Sequence, residues 1–170
     1  QEGDRRGNGR EKKGLKLLSG SLEPGAEARN CLRNFQTKWP GKPLGQERKF
    51  CAFRSCLPCG YFIRREELLA AALTAGEQGE KMAATAKKYG ISLIFGYPER
   101  DGEMIYNSCL AVGADGSCIQ NIRKVNLWKS EKKRFSEGRD FPVFETCAGR
   151  TAAVLCYDLE FPEPARTSYP

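Results

Sequence analysis

Three residues have side chains that could do chemistry: a thiol at Cys156, an amine at Lys124 and a carboxylate at Glu131. Cys156 follows the apolar run Ala152-Ala153-Val154-Leu155 and precedes a proline-containing turn that leads into Glu163. A thiol at the C-terminal end of a strand sits where α/β folds expose reactive groups, and a helix N-terminus nearby favours its thiolate. On these residues alone, a small core residue is the commoner role for such a cysteine. Lys124 directly follows Asn121-Ile122-Arg123, and Val125, Leu127 and Trp128 lie close enough in sequence to desolvate its ammonium. Desolvation lowers a lysine pKa or strengthens its field on a developing oxyanion; the alternative is an ordinary surface lysine. Glu131 reads as a solvated loop carboxylate unless Lys124 folds back against it.

The chain contains no histidine. A Ser-His-Asp triad, a Cys-His pair and every histidine-ligated metal site are therefore excluded for this chain acting alone. With 170 residues, 40% of them apolar, it has room for one ordinary domain, or one small domain with a tail, and can bury a real core. It has no long uncharged apolar run and opens on a charged stretch, Gln1 to Lys16, so a cytoplasmic protein without membrane association is expected.

The net charge of +7 is lopsided: residues 1–50 carry 12 Lys+Arg against 6 Asp+Glu, and the remainder 16 against 15. No basic stripe interleaved with aromatics follows, so specific nucleic-acid binding is not expected and the basic segment reads as a solvated tail. The 8 cysteines are irregularly spaced after Cys59 and read as reduced thiols. Cys56-Leu57-Pro58-Cys59 is formally a redox or half-zinc pattern, but no second pair completes it.

Residues 1–50 show no sustained apolar period, which predicts no regular structure there. Arg65 to Leu73 is rich in strong helix formers, and a second helical stretch, Glu80 to Tyr89, stops at Gly90. Its exposed face carries Lys81, Lys87 and Lys88. Ile91 to Phe95 and Tyr106 to Val112 read as strands, and the Asp115-Gly116 turn folds Cys118 to Arg123 back as a hairpin. After a charged loop from Lys124 to Asp140, Phe144–Cys147 and Thr151–Cys156 form a second hairpin. The order predicts a layered α/β domain.

Taken together, these features form a pattern. Lys88-Tyr89-Gly90-Ile91 leads to Phe95-Gly96-Tyr97-Pro98-Glu99, then Tyr106-Asn107-Ser108, then Asp115-Gly116 before Arg123-Lys124 and Leu127. Glu131, Phe135 and Gly138 follow, and the pattern closes on Leu155-Cys156-Tyr157-Asp158, Phe161-Pro162-Glu163 and Arg166. In order and spacing from Tyr61 to Arg166, the chain resembles the nitrilase superfamily, the carbon-nitrogen hydrolases. The resemblance implies a four-layer αββα sandwich that hydrolyses a small amide or nitrile, of an aliphatic amidase or ω-amidase type rather than a true nitrilase. It matches Cys156 to the nucleophile, Lys124 to the lysine that stabilises the tetrahedral intermediate, and Glu131 to a second, positioning glutamate. It implies no metal or cofactor, a thioester intermediate and a family-like homo-oligomer.

The resemblance also has gaps. The family's base glutamate lies in a Phe-Pro-Glu-Leu segment before a Gly-Tyr pair; here Gly60-Tyr61 is present, but Ser55 stands at the acid's position. A serine does not take a proton as a carboxylate does, so an inactive relative is the alternative reading. In a shifted reading frame the codons of Ala52 to Cys56 permit Phe-Pro-Glu-Leu, and those of Lys49-Phe50-Cys51 permit Val-Leu-Cys. Residues 1–56 are accordingly expected to be a basic, low-order, out-of-frame segment, and residues 57–170 a partial hydrolase domain. Ile122 replaces a tyrosine that commonly precedes the Arg-Lys pair. With Pro170 close behind Cys156, the sandwich is expected to be incomplete.

Overall fold

The computed structural model describes residues 19–20, 50–53, 64–147 and 149–168. Among them a five-stranded sheet runs in the order β1 (Ser19–Gly20), β2 (Phe50–Phe53), β3 (Ser92–Asp101), β4 (Met104–Val112), β5 (Cys118–Arg123). β1, β2 and β3 are parallel, whereas β3, β4 and β5 form an antiparallel meander. β6 (Val143–Thr146) and β7 (Gly149–Ala152) make a separate antiparallel hairpin.

Strand alternation divides the core. Leu93, Phe95 and Tyr97 of β3 and Leu110 and Val112 of β4 face the helix α2 (Ala75–Tyr89), packing on Met82 and Ala86. The intervening Ile94, Cys109 and Ala111, with Ile122 of β5, face the other way and meet Phe144 of β6 and Leu155. Three consecutive layers of the αββα arrangement, one of helix and two of sheet, therefore stand among the described residues. The shorter helix α1 (Arg65–Ala71) closes one end of the sheet, with Leu68 and Ala72 against Ile105.

Some element bounds differ from the sequence expectation. α2 begins at Ala75 rather than Glu80, running through Gly76 and Gly79. Its start is a capping box: Thr74 Oγ1 accepts the Glu77 N–H at 3.2 Å, and the Thr74 N–H donates to Glu77 Oε2 at 2.8 Å. Its end is as expected, with Gly90 left-handed at φ 61°. β3 runs beyond Phe95 to Asp101, because Gly102 at φ 57° turns it directly into β4.

The second hairpin is shorter than expected. β7 ends at Ala152, where its four-residue partner β6 runs out, and residues 153–155 leave the ladder. β1 and β2 fall in or at the edge of the stretch expected to lack regular structure; parallel ladder bonds to β3 organise β2. Ser55, the Cys56–Cys59 pair and Gly60-Tyr61 lie outside the described residues. No helix among the described residues is long and apolar enough to cross a membrane.

Candidate active site

The inter-sheet face of β5 carries Lys124 into the protein. Ile122 is buried in the core between the sheets, Arg123 turns to the opposite face, and Lys124 returns to the side of Ile122. The Lys124 N–H donates to the Asn107 carbonyl at 2.8 Å, extending the β4–β5 ladder by one residue. The Lys124 carbonyl accepts the Gly138 N–H at 2.8 Å. That contact explains the glycine: a Cβ at position 138 would lie 2.5 Å from the Arg123 carbonyl oxygen.

Arg123 does structural work on the α2 side of the sheet. Its guanidinium binds Glu99 through Nε at 3.0 Å and Nη2 at 2.6 Å, reaches Asp101 at 2.7 Å, and lies 3.9 Å from the centre of the Tyr106 ring. Ser108 Oγ donates to the same Glu99 carboxylate at 2.6 Å. Burial works to raise the Glu99 pKa, but the bonds from Arg123 and Ser108 outweigh it and hold the carboxyl below its ordinary range.

Glu131 sits in the 3-10 turn Lys129–Lys133, which the local sequence shapes. Glu131 stands three residues after Trp128, and its Oε2 accepts the Trp128 N–H at 2.7 Å. The same oxygen accepts from Lys124 Nζ at 2.7 Å, and Oε1 accepts from Asn107 Nδ2 at 2.9 Å. Lys124 is 1% exposed and Glu131 0%. The surface-lysine and solvated-carboxylate alternatives therefore do not hold: Lys124 folds back on Glu131, and the two form a dry ion pair. Such a pair is weak evidence for stability as a whole, but removing one partner strands the other charge at a cost of about 3–5 kcal/mol.

Cys156 occupies a sharp turn. Leu155 is buried in the inter-sheet core, and Cys156 then takes φ 50°, a left-handed conformation rare for a residue with a side chain, and opens the 3-10 turn Cys156–Glu160. Its thiol-bearing residue is exposed, so the core-cysteine alternative is set aside as well. Cys109 behaves oppositely: it is buried, and burial together with the Asp158 charge pushes its thiol up to about 12. The helix expected at Glu163 is α3 (Glu163–Ser168).

The Cys156 turn is tied to the Lys124 segment. Asp158, buried two residues past Cys156, accepts the Asn126 N–H on Oδ1 at 2.6 Å, and Asn126 lies two residues past Lys124. Burial raises the Asp158 pKa against the opposing pull of the Asn126 bonds and the Lys124 charge. The structure thus joins Lys124 to Glu131 directly and the Cys156 turn to the Lys124 segment through Asp158. Sequence reading assigned no role to Asn107 or Asp158, although both stand in quoted motifs. Asn107 bears the only buried side-chain polar atom among the described residues without a hydrogen-bond partner, its Oδ1. An unmade bond of that kind costs about 1–3 kcal/mol, so the site retains this amide at a penalty.

Comparison with known proteins finds relatives in sequence and in fold. Residues 49–170 match the sequence model of the carbon-nitrogen hydrolases. A probable nitrilase of Schizosaccharomyces pombe is 39% identical over 94 residues, which are 54% of this chain and 35% of that protein. An omega-amidase of Danio rerio is 35% identical over 124 residues, 67% of this chain and 43% of that one. The fold of a carbon-nitrogen hydrolase from Helicobacter pylori superposes with TM-score 0.71 at 22% identity, covering 89% of this chain and 53% of its own. The chain thus spans less than half the length of these two curated relatives and about half that of the solved hydrolase. With residues 49–170 matched by the family as a whole, and a sheet arrangement shared with its solved members, this chain belongs to the carbon-nitrogen hydrolase family.

Proposed function

We propose that the chain carries a thiol-dependent hydrolytic site for small amides or nitriles, with Cys156 as nucleophile, Lys124 as the cation facing the tetrahedral intermediate and Glu131 as the group that holds Lys124. On an amide, the Cys156 sulfur attacks the carbonyl carbon and the thiol proton passes to the departing nitrogen. Ammonia or an amine leaves, and a thioester remains on Cys156. Water cleaves the thioester, which releases a carboxylic acid and restores the thiol. Negative charge develops on the former carbonyl oxygen in both steps, and a fixed ammonium in a dry site offsets it more than a solvated one would.

One observation carries the reading: a wholly buried Lys124–Glu131 pair at 2.7 Å, joined by the Asp158–Asn126 bond to the turn that bears an exposed, left-handed Cys156. The relatives named nitrilase and omega-amidase support the substrate class. Ammonia release from a panel of simple amides and nitriles tests it, with loss of turnover expected in Cys156→Ala. Ser55, at the position of the family's base glutamate, favours a second reading in which the fold persists without turnover. A folded chain that releases no ammonia from any member of the panel would establish that alternative.

A further inference from the structure

We infer that Asn107 is a positioning residue that locks the Lys124–Glu131 pair in one geometry, so that the ammonium is presented to Cys156. The inference rests on the reading of Cys156, Lys124 and Glu131 as the hydrolytic set.

Asn107 grips both members of the pair. Its backbone carbonyl accepts the Lys124 N–H at 2.8 Å, and its side-chain Nδ2 donates to Glu131 Oε1 at 2.9 Å. Glu131 Oε2 is already occupied by Lys124 Nζ and the Trp128 N–H. Without Asn107, one carboxylate oxygen would be left without a donor in a dry site, and the carboxylate would be free to rotate about its last torsion. The ammonium, held through Glu131, would move with it. Two further facts fit this role and no merely space-filling one. The residue is buried, and its Oδ1 has no partner, so the amide is kept for Nδ2 alone. Its neutrality also matters. A carboxylate at 107 would face Glu131, and two carboxylates at that separation do not both ionise.

The test is the pH profile of iodoacetamide alkylation at Cys156, read by peptide mass spectrometry on the full chain. Glu131, Lys124 and, through Asn126, Asp158 are the charged groups of the site. Lys124→Gln and Glu131→Gln serve as references and should each change the profile by slowing alkylation at neutral pH, the first because the cation is gone and the second because the ammonium, though kept, is no longer held in place. Asn107→Leu, which keeps the shape and removes the donor, should change it the same way and slow alkylation at neutral pH by about fivefold or more. The Asn107→Leu/Glu131→Gln double variant should match Glu131→Gln, since both remove one interaction. Should the leucine variant not fold, Asn107→Asp reads the same point: a wild-type rate while its protonated carboxyl donates to Glu131, and a slowed rate once the pair gives up that shared proton at higher pH. Asn107 variants that overlay the wild type while both references slow would overturn the inference. If Lys124→Gln also overlays the wild type, the hydrolytic set itself fails and the inference goes with it.

Discussion

Asp158 Oδ1 accepts the backbone N–H of Asn126 at 2.6 Å, and that bond joins the turn of Cys156 to the segment of Lys124 across the space between the two sheets. The partners are 32 positions apart in sequence. The contact acts through burial: in a dry environment a carboxylate oxygen on a backbone N–H is a strong fixed tie, and its loss would strand that N–H.

Asp158 should reveal itself through pH. Burial raises its pKa in the folded state, so its contribution to stability is fully present below the unfolded carboxyl pKa and is lost as pH rises through the raised folded value. Asp158→Asn keeps an oxygen acceptor and has no proton to lose. Its stability relative to wild type should therefore improve as pH rises from about 4 to 7, whereas Asp158→Ala should be destabilised throughout. Urea unfolding across that range checks both; a wild-type-minus-Asn difference that stays flat with pH would contradict the argument.

The buried ion pair predicts non-additivity. Lys124→Met and Glu131→Leu should each destabilise the fold by about 3–5 kcal/mol, because each leaves a dry, unpaired charge. The double variant should recover most of that loss while remaining without hydrolytic turnover. Denaturant midpoints for the four proteins provide the cycle, and additive single losses would show that the two charges do not face each other.

On the opposite face of β5, Arg123 holds Glu99 ionised. Glu99 has a depressed pKa, so its contribution is present above the unfolded carboxyl pKa and is lost as pH falls through the folded one. Arg123→Lys replaces a two-nitrogen grip by a point charge and should lessen this acid sensitivity as well as overall stability. Thermal melts on either side of the carboxyl range measure it. Equal slopes with pH in the two proteins would remove the pair from the account.

Gly138→Ala tests the close approach behind Lys124. The added Cβ would meet backbone, the Arg123 carbonyl oxygen at 2.5 Å, so relief requires moving a strand end. A loss of about 1–3 kcal/mol is expected. Because the displaced atoms flank Lys124, any hydrolytic turnover should fall further than stability alone explains. Retained stability would mean that the segment after Phe135 shifts freely.

Much of this molecule was legible in residue types. The missing histidine removed whole classes of mechanism, and Cys156, Lys124 and Glu131 remained as candidates by chemistry and by resemblance. Gly90 marked the end of α2, and Asp115-Gly116 marked the β4–β5 hairpin, because a left-handed backbone selects its residues locally. Elsewhere local reading failed for a local reason: Gly76 and Gly79 hid the start of α2, although Thr74 and Glu77 spelled a capping box. The strand assigned through Cys156 failed for a non-local one, since β7 ends where β6 offers no further partner.

Motif order and spacing carried the family resemblance, and the chemistry is written in side-chain types that need no coordinates to name. What only the tertiary structure decided is solvation. Lys124 and Glu131 are ordinary charged residues on paper, and they become a dry pair because two sheets close over them, with Asn107 and Asp158 supplying the donor and acceptor that burial demands. Burial is a property of many distant residues at once, and no single segment of the chain encodes it.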